Sequence, residues 1–268
     1  MSRTSKFAAL PIVQQAVKLP QEPYSVLNFF FAVDYDSQRD IEEKLVEGTY
    51  LNEMLKLWFG AEPEYDSLCQ HFRETIRAVG KHDGIHFHGW PDTVDGLMAQ
   101  LMLCDQLPRN VFRSTSEAFA YDEKAYTLSR KLGHSFLLHQ RSEDNDDEFK
   151  ELQGIIYPLY VFFIIVALGH SESLSDHELS IEMLDLANAR YPHLSYCFAG
   201  FQRVQVISHK DVIEKFGRYP HRNKQYGRTS TPEELEWLAD VDHLPAWAKS
   251  QLRKVNAAGS VVESIKVT

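Results

Sequence analysis

Cysteine is scarce in this chain. There are three in 268 residues, Cys69, Cys104 and Cys197, odd in number, far apart and without a CxxC pair. That counts against a disulfide framework and a structural zinc site, and makes the reducing cytoplasm the expected location. Positive charge is in deficit: 28 Lys and Arg stand against 38 Asp and Glu, a net charge of −10. Nucleic acid and anionic membranes, which require clustered positive charge, are therefore not expected partners. Long apolar runs are absent too. The most apolar stretch, Ile155 to Leu168 (IIYPLYVFFIIVAL), contains Pro158 and falls short of the roughly 20 residues that span a bilayer. It reads as a buried helix. No GxxxxGK[ST], no strand-borne GxGxxG and no GxSxG is found, which removes the commonest nucleotide-binding and serine-hydrolase signatures. Met1 to Val17 lacks the sustained apolar core and small-residue cleavage site of a secretory signal, while organelle targeting stays open.

What is present is the composition of a globular domain, 44% hydrophobic and 25% charged, with a chain long enough to bury a substantial core. Residues 1–24 read as an extended leader punctuated by Pro11, Pro20 and Pro23. Val26–Val33 fits a strand or a helix start. Helical patterns follow over Asp36–Leu57, closed by Gly60, and over Glu64–Val79, where Leu68, Phe72, Ile76 and Val79 form one face. The next runs over Asp92–Leu107 and is halted by Pro108. Ser114 and Glu117 form a capping-box pattern for another, ended by Gly133. After the charge run Arg141–Glu148, expected to be solvated, comes the apolar helix. Helices capped by Ser175/Glu178 and over Phe198–Phe216 follow, then a short one opened by Thr231, Pro232 and Glu234. Strand signals are nearly absent, apart from short segments near 26–33 and 203–208. The expectation is an all-α, compact multi-helix domain of about eight helices over residues 25–242, with 243–268 as a peripheral C-terminal tail.

Three polar clusters stand out. In DQLPRN (105–110), Asp105 follows Leu101 by four residues and so points to the apolar face of its helix; Arg109 is within reach as its counter-ion. A buried Asp–Arg clamp is one reading and a perturbed catalytic acid the other. His170-Ser171-Glu172 sits at the end of the most apolar helix, where a His and a carboxylate form a base and its orienting partner. In FGRYPHRNKQYGR (216–228), five basic-type side chains crowd an acidic protein beside the helix start at Thr231. Arginine forks and a helix N-terminus suit a carboxylate or phosphate, or equally the carboxylates of neighbouring helices. Asp105, His170, Glu172, His177 and His209, or His82, His86 and His88, are the residues from which a divalent metal site would be drawn. Their spacing selects no geometry, so no metal ligand is assigned and no cofactor is expected. Cys104, on an apolar face, reads as inert packing.

Taken in order, LKLWFG (55–60), CDQLPRNVFRSTSEAFAYDEKA (104–125), HSE (170–172) and HKDVIEKFGRYPHRNKQYGRTSTPEE (209–234) resemble the bacterial and eukaryotic domain-of-unknown-function-924 family over about residues 25–240. The resemblance implies an all-helical fold of the tetratricopeptide-repeat-like superfamily and no established reaction. This chain departs from the family's usual pattern where FFFA (29–32) replaces an FWFG-like element. It departs again at Ile165 and Ala167, where Tyr and Pro are usual, and at His177, where Gln is usual.

Two functional classes follow. The first is an enzyme using acid–base chemistry on a small anionic molecule. Its candidate catalytic residues are Asp105, His170, Glu172 and His221, with Arg109, Asn110, His209, Arg218, Arg222, Asn223 and Arg228 holding the substrate. The second is a non-enzymatic helical-repeat-like protein that presents a groove to a peptide or protein partner.

Overall fold

A computed structural model describes residues 2–33, 48–60, 62–84, 87, 89–90, 92–141, 156–255 and 261–264. The expected charge run, apart from Arg141, together with His86, His88 and the first part of the helix expected over Asp36–Leu57, lies outside the described residues.

The described core is all-α. Its centre is the apolar run, which forms α10 (Pro158–Gly169); Pro158 takes the first helical position, where no N–H partner is needed. Every residue of α10 from Leu159 to Ile165 is buried. A helix apolar on all sides must be covered on all sides, and it is packed by α9 (Asp122–Arg141), α11 (Leu174–Arg190) and α12 (Arg203–Phe216). Ahead of α9, α3 (Pro23–Phe31) lies against α7 (Val94–Leu101), and α7 against α9.

The leader is not extended. It folds as α1 (Arg3–Ala8) and α2 (Pro11–Ala16), which bury Phe7, Val13 and Ala16 in the main core. Pro11 and Pro23 begin helices rather than interrupt them. Val26–Phe31 is helix, and Ala32 ends it in a left-handed conformation at φ 52°. An aromatic cluster ties this end to the centre. Trp58, on α4 (Gly48–Phe59), stands 4.8 Å from Phe163 and donates its indole N–H to the Phe30 carbonyl at 2.9 Å.

Several boundaries shift for physical reasons. The Glu64–Val79 pattern is broken into α5 (Pro63–Cys69), a 3₁₀ turn and α6 (Arg73–Lys81). Pro108 does not halt its helix: the chain widens into a π-turn at Met102–Gln106 and continues as α8 (Leu107–Val111), with Pro108 in its first turn. Ser114, at φ 64°, caps nothing; a 3₁₀ turn follows before α9 starts. Gly133 lies inside α9, where a Cβ would sit 2.9 Å from Met183 Sδ, so it permits close packing on α11 instead of ending the helix. The N-cap of α11 is Ser173, without a side-chain cap bond. The 203–208 segment is helical, preceded by a second π-turn at Tyr196–Gln202. The capping box forms as expected at α13 (Pro232–Ala239), with Thr231 and Glu234 bonded reciprocally. The C-terminal tail includes α14 (Ala246–Leu252) and a short antiparallel pair, β1 (Arg253–Val255) and β2 (Val261–Ser264).

Candidate functional site

The C-terminal end of α10, the π-turn and the 219–222 turn converge on a cavity of about 260 Å³. The π-turn matters locally: it holds both Asp105 and Gln106 buried, with Asp105 against His170 at the end of α10. Such turns recur at functional sites because they re-aim side chains that a regular helix would misplace.

Asp105 is fully buried, and its Oδ1 lies 2.7 Å from His170 Nδ1. Burial alone would raise this carboxyl. His170, Arg109 and Gln106 together override it and hold the group down at about 2. An ionised carboxylate can only accept, so His170 Nδ1 is the donor of this bond and Nε2 is left facing away from Asp105. His170 lines the cavity, and Nε2 has no hydrogen-bond partner among the described residues. Gln106 donates to the other oxygen of Asp105. Arg109 reaches Asp105 at 3.4 Å but binds Asp122 more closely, at 2.8 Å, and also donates to the Ala118 carbonyl.

Arg222 is buried between Phe119 and Tyr219, its guanidinium over both rings at 5.1 and 4.6 Å. Its Nη1 donates to the His170 carbonyl at 2.9 Å and stands 3.4 Å from Asp122. Its Nε is buried without a partner. His221 likewise has a buried, unpartnered Nδ1; burial, with Arg222 next to it, pushes the ring well below the usual imidazole range. His209 donates from Nδ1 to the Gln205 carbonyl at 2.7 Å and stacks on Trp247 at 4.1 Å. Burial and the neighbouring His170 lower it to about 3. The His170 and His209 rings are 6.1 Å apart. The site therefore joins one histidine paired with a carboxylate to two histidines held neutral.

Asp105, Arg109, His170, His209, His221 and Arg222 thus come together. The other sequence candidates are placed elsewhere. Glu172 accepts both nitrogens of the Arg228 fork, at 2.6 and 2.9 Å, and the Tyr219 N–H at 2.9 Å. These partners outweigh desolvation and lower its pKa. Arg218 makes the equivalent fork to Glu234, which also receives Asn223. Asn110 donates to Asp66 beside Arg113. All of these fasten the 217–234 loop or α8 to neighbouring elements, the clamp role weighed for the arginines from sequence. His177 is buried against the Ser171 carbonyl. Among the described residues, no three His, Cys, Asp or Glu side chains group as a metal site.

Sequence reasoning missed Gln106 as a bonding partner, and the walls Trp58, Phe59, Tyr219 and Trp247. WFG (58–60) and Tyr219 lie inside the LKLWFG and FGRYPHRNKQYGR motifs; Trp247 lies in the segment expected to be peripheral, and only its size and aromaticity set it apart there.

An all-helical fold around a histidine- and arginine-lined cavity defines the class. The chain belongs to the family described as "Bacterial protein of unknown function (DUF924)", whose sequence model matches residues 26–242. Among solved structures it is similar to "Structure of Protein of Unknown Function ATU0120 from Agrobacterium tumefaciens", at 24% identity over 68% of this chain and 87% of that chain, with a TM-score of 0.46. No protein of curated function matches it. No helix among the described residues is long and apolar enough to cross a membrane.

Proposed function

We propose that the protein is an enzyme that performs acid–base chemistry on a small anionic molecule bound in this cavity. The observation that carries the reading is the Asp105–His170 pair, with Nε2 of His170 unpartnered at the cavity wall. Nε2 accepts a proton from the substrate, and the Asp105 carboxylate stabilises the imidazolium that results. Asp105 is the orienting partner rather than the base, because its proton affinity is too low. Arg222 faces the anion, with Arg109 behind it as the counter-ion of both aspartates. His209, its Nδ1–H committed to Gln205, presents Nε2 as an acceptor for a substrate hydroxyl or amide. A cavity of about 260 Å³ lies just below the common range of roughly 300–1,000 Å³ for small-molecule sites and is a poor match to a peptide groove. Three buried, unbridged cysteines support a reducing compartment, the cytoplasm. A tetratricopeptide-repeat-like packing of the helices belongs to the same proposal.

The test is thermal shift of the purified protein against a panel of anionic metabolites, with and without divalent metals. A ligand at about 100 times its Kd adds about 2.7 kcal/mol. The expected result is a shift that His170→Ala and Arg222→Ala both abolish while remaining folded. If both variants unfold, the cluster is a structural network. If nothing in the panel shifts the wild type, a protein or peptide partner replaces the small molecule.

A further inference from the structure

The cavity is divided along its length, and the division specifies what enters it. One wall is α10, which contributes Ile165 and Val166 and then, one turn later, Gly169 and His170. At about 1.5 Å per residue, Ile165 and His170 are separated by about 7.5 Å along the helix. The aliphatic end is bordered by Trp58 and Phe59, and the Phe59 ring lies 6.4 Å from Phe163 on α10. The other end holds the Asp105–His170 pair and Arg222.

Charge at the polar end is almost balanced before any ligand arrives. Arg113 forks onto Asp66, and Arg109 is shared between Asp105 and Asp122. Arg222 is the least committed of the three cations. Among the described residues only its Nη1 has hydrogen-bond acceptors, the aspartate among them stands at 3.4 Å, and its Nε is a buried orphan. One arginine with spare donors accommodates one negative charge, and among the described residues the other cations lining the cavity, Arg109 and Arg113, are already held by aspartates.

Building on the small-anion reading above, we infer that the ligand is an amphipathic monocarboxylate. Its carboxylate lies on the Arg222 side, and an aromatic or branched hydrocarbon group extends about one helical turn toward Ile165, Val166 and Phe59. Phosphate and dicarboxylates are disfavoured on charge, and fully polar molecules leave the Trp58–Phe59 end unfilled.

The experiment is isothermal titration of the full-length protein with 3-phenylpropanoate, its neutral amide, succinate and inorganic phosphate. Each is repeated on Phe59→Ser, a change at a partly exposed ring, and on Arg222→Lys, which keeps a cation beside Asp122. The expected result is that 3-phenylpropanoate binds at least tenfold more tightly than the other three. Phe59→Ser should weaken it without creating succinate binding, and Arg222→Lys should weaken the acid far more than the amide. Succinate or phosphate binding as well as the aryl acid, in an Arg222-dependent way, overturns the amphipathic ligand and leaves the anion site standing. Equal binding of acid and amide, indifferent to Arg222→Lys, overturns the carboxylate. No binding by any probe overturns this inference, while the broader metabolite panel still decides the small-anion reading.

Discussion

At the scale of single residues, the strongest constraints are conformational and electrostatic. Ala32 occupies φ 52° at the end of α3, a left-handed conformation that favours glycine. The left-handed region costs a residue with a Cβ about 1–2 kcal/mol. Glycine returns about 0.4–1 kcal/mol of that through the unfolded chain. Ala32→Gly is therefore expected to stabilise the protein by up to about 1 kcal/mol, read as a higher urea midpoint at unchanged m-value. His209 and His221 supply a second prediction. Both have their pKa depressed in the fold, so both remain neutral while their unfolded counterparts take up protons below about pH 6.5. Stability is fully present above that pH and falls on acidification; for His209 the loss continues to about pH 3. At pH 5 each histidine accounts for about 2 kcal/mol at most, less for His209, whose ring is partly reached by solvent. Replacing His221 with Gln should flatten the dependence of unfolding free energy on pH between 6.5 and 5 by close to one proton. An unchanged slope would mean that His221 is protonated in the folded protein. The candidates were visible in sequence as residue types, but their roles were not: Arg218 and Arg222 are four residues apart, and one pairs with Glu234 while the other faces the cavity.

At the scale of elements, periodicity located most helices and failed where tertiary contact decided the outcome. Gly133 looked like a helix stop because nothing in the sequence announces Met183 across the interface. The π-turn at Met102–Gln106 was invisible for the same reason, since its residues are ordinary helix formers and only the packed neighbours show that the ladder has widened. The leader was misread because Pro at a helix start and Pro in an extended segment carry the same local signal. Gly80 in α6 tests how far packing overrides propensity. A Cβ there would lie 2.6 Å from Cε1 of the Tyr121 ring, which is rigid and buried. Alanine is the better helix former by about 1 kcal/mol, yet displacing a packed ring costs about 1–3 kcal/mol. Gly80→Ala is expected to be net destabilising by about 1 kcal/mol, with a lower thermal midpoint. A stabilised variant would show that Tyr121 swings aside without penalty.

At the scale of the whole molecule, closure of the cavity depends on a segment beyond the family-matched span of 26–242. The segment taken from sequence as peripheral delivers Trp247, which stacks on His209, approaches His221 at 5.3 Å and donates its indole N–H to Ser208 at 3.1 Å. Leu244 and Ala248 anchor it by burial. Trp247 thereby helps keep water from His209, and loss of water is the leading cause of that ring's low proton affinity. Composition could not reveal this, because the electrostatic state of a histidine on α12 is set by an indole nearly forty residues later. Trp247→Ala should hydrate His209 and raise its pKa from about 3 toward the ordinary value near 6.5. The imidazole NMR titration reads this directly. A His209 titration that stays near pH 3 in the variant would show that α12, α10 and the 219–222 turn exclude water without help from the C-terminal segment, and Trp247 would then be a wall of the cavity but not its seal.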